Sequence, residues 1–235
     1  MGQILLVRHG QAQFGTDDYD RLSDVGREQA RLLGDWFTKG GRKIDAAVTG
    51  TLRRHRETAQ ECLNRTSPGL RPSAEWRADE GFDEYDSDEV VICHRPEFAD
   101  SAALRAHIRA ADNPRRTFQG LFAAAMARWM CGEHDADYRE SLHGFRDRCV
   151  AALKRVTDNA GPSQRVVVFT SGGPIAAICQ HLLGLNLQRT LDVNSVLVNC
   201  ATTRLLYQPH LVSLSYLNNY AHLEQSGNPQ MVTYR

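Results

Sequence analysis

Paired cysteines, long apolar runs and an excess of charge are all missing from this chain. Its 235 residues include six cysteines, Cys62, Cys93, Cys131, Cys149, Cys179 and Cys200, no two of them closer than 18 positions. That spacing leaves no CxxC pair for zinc or redox chemistry. A chain long enough to bury a full core needs no disulfide framework either. The nine histidines contain no HExxH and no pair at helical spacing, so no structural zinc, and no metal or other cofactor, is expected. No apolar run approaches the roughly 20 residues of a membrane span. The chain opens on "QILLV" without a basic leader or cleavage site, which sets the expectation of a cytoplasmic protein. Lys plus Arg and Asp plus Glu are equal at 28 each, so no global field draws in nucleic acid or an anionic membrane, and neither is expected as a partner. There is no internal repeat and no low-complexity linker.

What is present alternates. "ILLV" at 4–7 is a continuous apolar run ending in Arg-His-Gly, as expected of a buried parallel strand. Ser23 fits the N-cap of "DVGREQARLLGDWF", where Ala30, Leu33 and Phe37 recur at helical spacing. "IDAAVTG" at 44–50 reads as a second strand, and "TLRRHRETAQECL" as the helix after it, with Leu52, Ala59 and Leu63 able to share a face. A strand over 165–170 stops at Ser171-Gly172-Gly173-Pro174 and opens into a helix over 174–184. "SVLVNCATTRLLYQPHLVSLSYLN" reads as a terminal pair of strands joined around Gln208–His210, and its edge offers pairing with a second copy. Strands alternating with helices predict an α/β fold: a three-layer α/β/α sandwich on a mainly parallel sheet. Between about 86 and 140 the pattern becomes helical pieces, "SAALRAHIRAA" and "TFQGLFAAAMARWM". These are expected to form a cap insertion in one domain spanning 1–235, with a long helix over 141–157 returning to the sheet. Trp129 and Phe122 either pack there or line a pocket.

Ligands of open α/β sheets bind beyond the carboxyl ends of the strands. Three such ends concentrate chemistry: "RHG" at 8–10, "TGTLRRHRET" at 49–58 and "TSGGP" at 170–174. They supply an imidazole between an arginine and a glycine, arginines on the first turn of a helix, and glycine N–H groups at a helix N-terminus with Pro174 suited to N1. Together these describe a phosphoryl pocket.

In this the chain resembles the histidine phosphatase superfamily, the phosphoglycerate-mutase-like proteins. The resemblance rests on "LLVRHGQA", "LSDVGREQARLLG", "TLRRHRETA" and "TSGGPI", in order over most of the sequence. It implies a phosphatase in which His9, after the first strand, is the nucleophile and carries the phosphoryl group. Arg8 and Arg54 would hold the phosphate and disfavour imidazolium. The family pattern Ser-Pro-Leu-x-Arg-Ala-x-x-Thr-Ala, aligned on Leu52, Thr58 and Ala59, selects Arg54 over Arg53. A glutamate protonates the leaving oxygen. Seven acids crowd the eleven residues from Asp79 to Glu89, and "GFDEYD" makes Glu84 that acid, with Glu80 in reserve. The family's second histidine, at the end of the last parallel strand, is here Ser171. Its hydroxyl, with the Gly172 N–H and Gly10, would complete the phosphate contacts, one positive charge short.

Other readings compete. Ser171 is no hydrolase elbow, because GxSxG needs glycine where Phe169 stands. "DSDEV" at 86–90 imitates an aspartyl-phosphatase motif without the strand such motifs follow. Arg53 and Arg56 read as a solvated helix face. His55, His107 and His210 read as surface or packing residues, and His181 as a satisfied core residue. Three functions follow: a metal-independent phosphatase acting on a small phosphorylated metabolite or a phosphoprotein, a mutase of the phosphoglycerate type, and a phosphate- or protein-binding relative with weakened turnover.

Overall fold

The computed structural model describes residues 1–13 and 20–234; residues 14–19 of the loop after the first motif lie outside it. A six-stranded sheet carries the fold. Its strands are β1 (Gly2–Arg8), β2 (Ala46–Thr49), β3 (Arg77–Ala78), β4 (Arg165–Thr170), β5 (Thr202–Gln208) and β6 (Leu211–Asn219). The order is β3-β2-β4-β1-β5-β6, with the first four parallel and β5 and β6 antiparallel. The two C-terminal strands form a hairpin turned at His210, which adopts a left-handed φ of 64°. Residues 195–201, expected to begin the hairpin, instead end a helix and cross to β5.

The helices follow in chain order: α1 (Asp24–Lys39), α2 (Arg53–Arg65), α3 (Ser87–His94), α4 (Ser101–Arg109), α5 (Pro114–Met130), α6 (Leu142–Asn159), α7 (Gly172–Leu183), α8 (Leu187–Val196) and α9 (Ala221–Glu224). Ser23 caps α1, accepting from the Gly26 N–H at 3.1 Å. One face of the sheet, Leu5, Val7, Ala47, Val167 and Phe169, joins Ala30, Leu33 and Phe37 of α1 and Ala59, Cys62 and Leu63 of α2 in one core. The opposite face, Ile4, Leu6, Val48, Val166 and Val168, is buried too. Strands buried on both faces need a layer on each side. The fully buried Phe37 and Leu33 each contribute about 1.5–3 kcal/mol by leaving water. All six cysteines are free, and burial pushes the Cys179 thiol up to about 11.

Two compact units divide the chain: residues 1–84 with 148–235, and residues 85–147. The second contains α3, α4 and α5. There Trp129 is buried, its indole N–H donating to the Glu140 carbonyl at 2.9 Å, and its ring lies 5.0 Å from that of Tyr85. Asp86 caps α3 through the N–H groups of Asp88 and Glu89. "DSDEV" is therefore a helix start, not a strand-end phosphate motif.

Candidate active site

The register of the parallel strands assembles the site. Arg8 of β1 pairs with Thr170 of β4, and Thr49 of β2 with Phe169, so three strands end level. The His9 N–H donates to the Thr170 carbonyl at 2.8 Å and the Gly50 N–H to Phe169 at 3.0 Å. His9, Gly50 and Ser171 thus emerge at one edge. The acidic loop arrives at the same edge, because Asp79 donates its N–H to the Thr49 carbonyl at 2.8 Å. Thr170 Oγ1 then pins it by donating to the Phe82 carbonyl at 2.6 Å. Arg155 of α6 holds Asp79, and Arg148 donates to the carbonyls of Glu80 and Asp83.

His9 is 7% exposed. Its Nδ1 lies 2.7 Å from the Gly10 carbonyl oxygen. A carbonyl only accepts, so Nδ1 carries the proton and Nε2 keeps its lone pair. Burial, then Arg54, Arg8 and His55, hold the His9 pKa well below the ordinary value, against the opposing Gly10 carbonyl. The ring is a neutral imidazole at neutral pH.

Gly10 has a packing reason as well: a Cβ there would stand 2.4 Å from the Gly26 carbonyl oxygen. Its N–H donates to Thr58 Oγ1 at 3.0 Å, and that hydroxyl donates to the Arg54 carbonyl at 2.6 Å. The hydroxyl therefore ties the first motif to α2.

The two arginines of the second motif part company. Arg54 is 8% exposed and its Nη1 meets Asp20 at 2.7 Å. The Arg53 side chain is 43% exposed and pairs with Glu57 one turn along, a solvated-face arrangement. Arg8 donates Nη1 to the Leu197 carbonyl. It also stands near Gly172, where a Cβ would lie 3.7 Å from Arg8 Nε and 2.5 Å from Asn194 Oδ1.

Helix α7 begins at Gly172, two residues before the expected start, so Pro174 occupies the third helical position rather than N1. Its missing N–H is one of the unpaired donors of a first turn in either place. Glu84 accepts from the Gly173 N–H at 3.1 Å and so lies at this helix N-terminus. The Glu80 side chain is exposed, one turn earlier in the loop.

One sequence expectation needs correction, and one open alternative is decided. His181 is exposed at the C-terminal end of α7, not satisfied in the core, because only the first two turns of that helix are buried. His55 is fully buried beside the site, whereas His107 and His210 are exposed. His55 Nε2 lies 2.7 Å from Ser171 Oγ, and its ring centroid is 5.8 Å from that of His9. The signal was readable: His55, Ala59 and Cys62 recur at helical spacing on the buried face of α2. Asp83, also unassigned from sequence, accepts from the Thr51 N–H at 2.6 Å and from the Thr51 hydroxyl.

The sequence pattern of the histidine phosphatase superfamily (branch 1) matches residues 4–220. The chain belongs to that superfamily. Over 112 residues it is 34% identical to the mitochondrial serine/threonine-protein phosphatase PGAM5 of Xenopus tropicalis, a match covering 45% of this chain and 39% of that protein. The chain thus spans well under half the length of that curated relative. Among solved histidine phosphatase-like folds, Bacillus stearothermophilus YhfR superposes with a TM-score of 0.66 at 15% identity, over 94% of this chain and 99% of that one. Phosphoglycerate mutase from Bacillus anthracis gives 0.63 at 15% over 97% of both chains. Phosphoserine phosphatase from Entamoeba histolytica, in complex with phosphoserine, gives 0.61 at 17% over 95% and 100%. At these identities the structures share the superfamily's fold.

Between β2, β3 and α6, a cavity of about 110 Å³ is lined by Val48, Asp79, Arg155 and neighbours, and includes none of the motif histidines or arginines. In residues 85–147, exposed Cys131 and Glu133 with half-buried His134 bring one ligand atom each within 4.8 Å of one another. Among the described residues, no helix is long and apolar enough to cross a membrane.

Proposed function

We propose that this chain is a metal-independent phosphatase that hydrolyses a phosphomonoester through a phosphohistidine on His9. The observation that carries the reading is the tautomer. With Nδ1–H committed to Gly10, the Nε2 lone pair is left to attack phosphorus. Arg8 and Arg54 bind the phosphoryl oxygens, and Ser171 with the Gly172 N–H adds neutral donors at the α7 N-terminus. Gly10 contributes by position, since its N–H is engaged by Thr58. As the phosphorus–oxygen ester bond breaks, Glu84 gives its proton to the leaving oxygen. The resulting carboxylate then takes a proton from the water that attacks phosphohistidine, releasing phosphate and free His9. The half-buried place of Glu84 at the α7 N-terminus favours it over exposed Glu80.

The superfamily pattern and the 112-residue match to a protein phosphatase support this reaction class. We place the substrate among small phosphorylated metabolites and phosphoproteins. Rapid acid quench with labelled phosphate ester should trap an acid-labile, base-stable adduct that is absent from His9→Ala. Turnover should also survive a chelator. Label on serine or aspartate defeats the mechanism, and retained phosphate binding without turnover selects a binding role instead.

A further inference from the structure

Ser171 occupies the N-cap position of α7, yet its side chain makes no capping hydrogen bond. Glu84 takes the Gly173 N–H instead. The serine hydroxyl is turned to His55 Nε2 at 2.7 Å. On the other side of the ring, His55 Nδ1 lies 3.6 Å from Asp83 Oδ1, an ion-pair distance, and no described residue bonds it more closely. Gly50 leaves room for that approach: a Cβ there would stand 2.2 Å from Nδ1 and 2.5 Å from Asp83 Oδ1. Burying an imidazole completely costs free energy that an apolar residue at this place on α2 would not. Half-buried Asp83 and fully buried His55 and Ser171 thus stand in one row, and the His55 ring in its middle lies 5.8 Å from that of His9.

We propose that Asp83, His55 and Ser171 form a proton relay that turns the Ser171 hydroxyl into a hydrogen-bond donor for the bound phosphoryl group. His55 is then a positioning residue acting through the serine. The inference rests on the reading of His9 as the phosphoryl acceptor.

While the ring is neutral, Nδ1–H faces Asp83 and Nε2 accepts the serine proton, so the hydroxyl offers an anion only lone pairs. When a dianion enters, Nε2 takes one proton from solvent and the imidazolium donates it to Oγ. The O–H is then released to the anion. The one bond formed is Nε2–H, its proton drawn from solvent, and the complex holds one more proton than the free protein. The groups facing His55 set the balance. Asp83 from the acidic loop and Asp20 favour the imidazolium. Burial and Arg54 on its own helix oppose it, and the His9 ring at the end of β1 is the other titratable group beside it. Before binding, burial dominates and the His55 pKa lies below its ordinary value. The anion's charge tips it the other way.

Sulfate serves as the probe, because it binds as a dianion and does not itself titrate near neutral pH. Calorimetry of sulfate binding in two buffers of different ionisation enthalpy counts the protons taken up. Wild type and His9→Gln should both take up a proton, and His55→Gln should not. Uptake by His55→Gln equal to wild type, or none by wild type, overturns the relay. Should His55→Gln fold poorly, the double variant His55→Ala with Ser171→His moves the imidazole to the strand end and vacates its old space. It should turn over within about tenfold of wild type. Ser171→His alone, with two rings in one space, should be slower than the double variant. A double variant no faster than His55→Ala also overturns the inference. Failure of the phosphohistidine reading shows separately, as the absence of label on His9.

Discussion

Replacing Arg54 by alanine separates binding from folding. Arg54 is 8% exposed, its charge acts on His9, and it pairs with Asp20, whose side chain is 38% exposed. Without Arg54, Asp20 can recover water, so the lost pair costs stability only about 0–1 kcal/mol. A desolvated, charge-assisted contact to phosphate is worth more, about 2–4 kcal/mol. That is about 30-fold to 1000-fold in the dissociation constant of inorganic phosphate. Arg53→Ala is the control, since its guanidinium lies on the exposed face with Glu57, and it should weaken phosphate by less than about threefold. Titration calorimetry with phosphate, beside a denaturant midpoint for each variant, gives both quantities. Arg54→Lys should fall between, keeping the charge while losing the fork that grips two oxygens. Phosphate binding weakened equally in Arg53→Ala and Arg54→Ala would refute the assignment. So would a loss in Arg54→Ala matched by an equal loss of stability.

Glu84→Gln should slow alkyl phosphates at least about tenfold more than activated aryl phosphates, whose leaving groups need little protonation; equal losses, measured as kcat on both, move the role elsewhere. Gly10→Ala should destabilise by about 1–3 kcal/mol, because its Cβ meets the Gly26 backbone at 2.4 Å and neither chain segment can give way cheaply; an unchanged denaturant midpoint would contradict that packing. Buried His222, with a pKa lowered by burial to about 4, should make the fold acid-labile. The unfolded chain binds this proton near pH 6.5 and the folded chain does not, so stability is full above that value and falls towards pH 4. By pH 5 this group alone removes about 2 kcal/mol, and His222→Leu should shrink the difference between pH 8 and pH 5 by that amount in urea titrations.

Much of this protein was legible in its sequence because the relevant physics is local. "ILLV" and "VVVF" are apolar without alternation because their strands are buried on both faces. Ser23 before an amphipathic run marks a helix start wherever it occurs. Arg8, His9 and the 171–174 turn could be placed at one edge because parallel strands carry their loops to a common end. The preference for Arg54 over Arg53 came from the family resemblance aligned on Leu52, Thr58 and Ala59; the structure buries Arg54 and leaves the Arg53 side chain exposed. Tertiary structure decided what depends on partners distant in sequence. His55 and Ser171 are 116 residues apart, and no local pattern says that one imidazole and one hydroxyl will meet. His181 sits in an apolar stretch yet is exposed, because the fully buried part of α7 ends at Cys179. Asp83 was one acid among seven until Thr51 and the space above Gly50 singled it out. Periodicity tells which face of an element turns inward; which groups meet there is settled only when separate elements pack and each buried polar atom must find its partner.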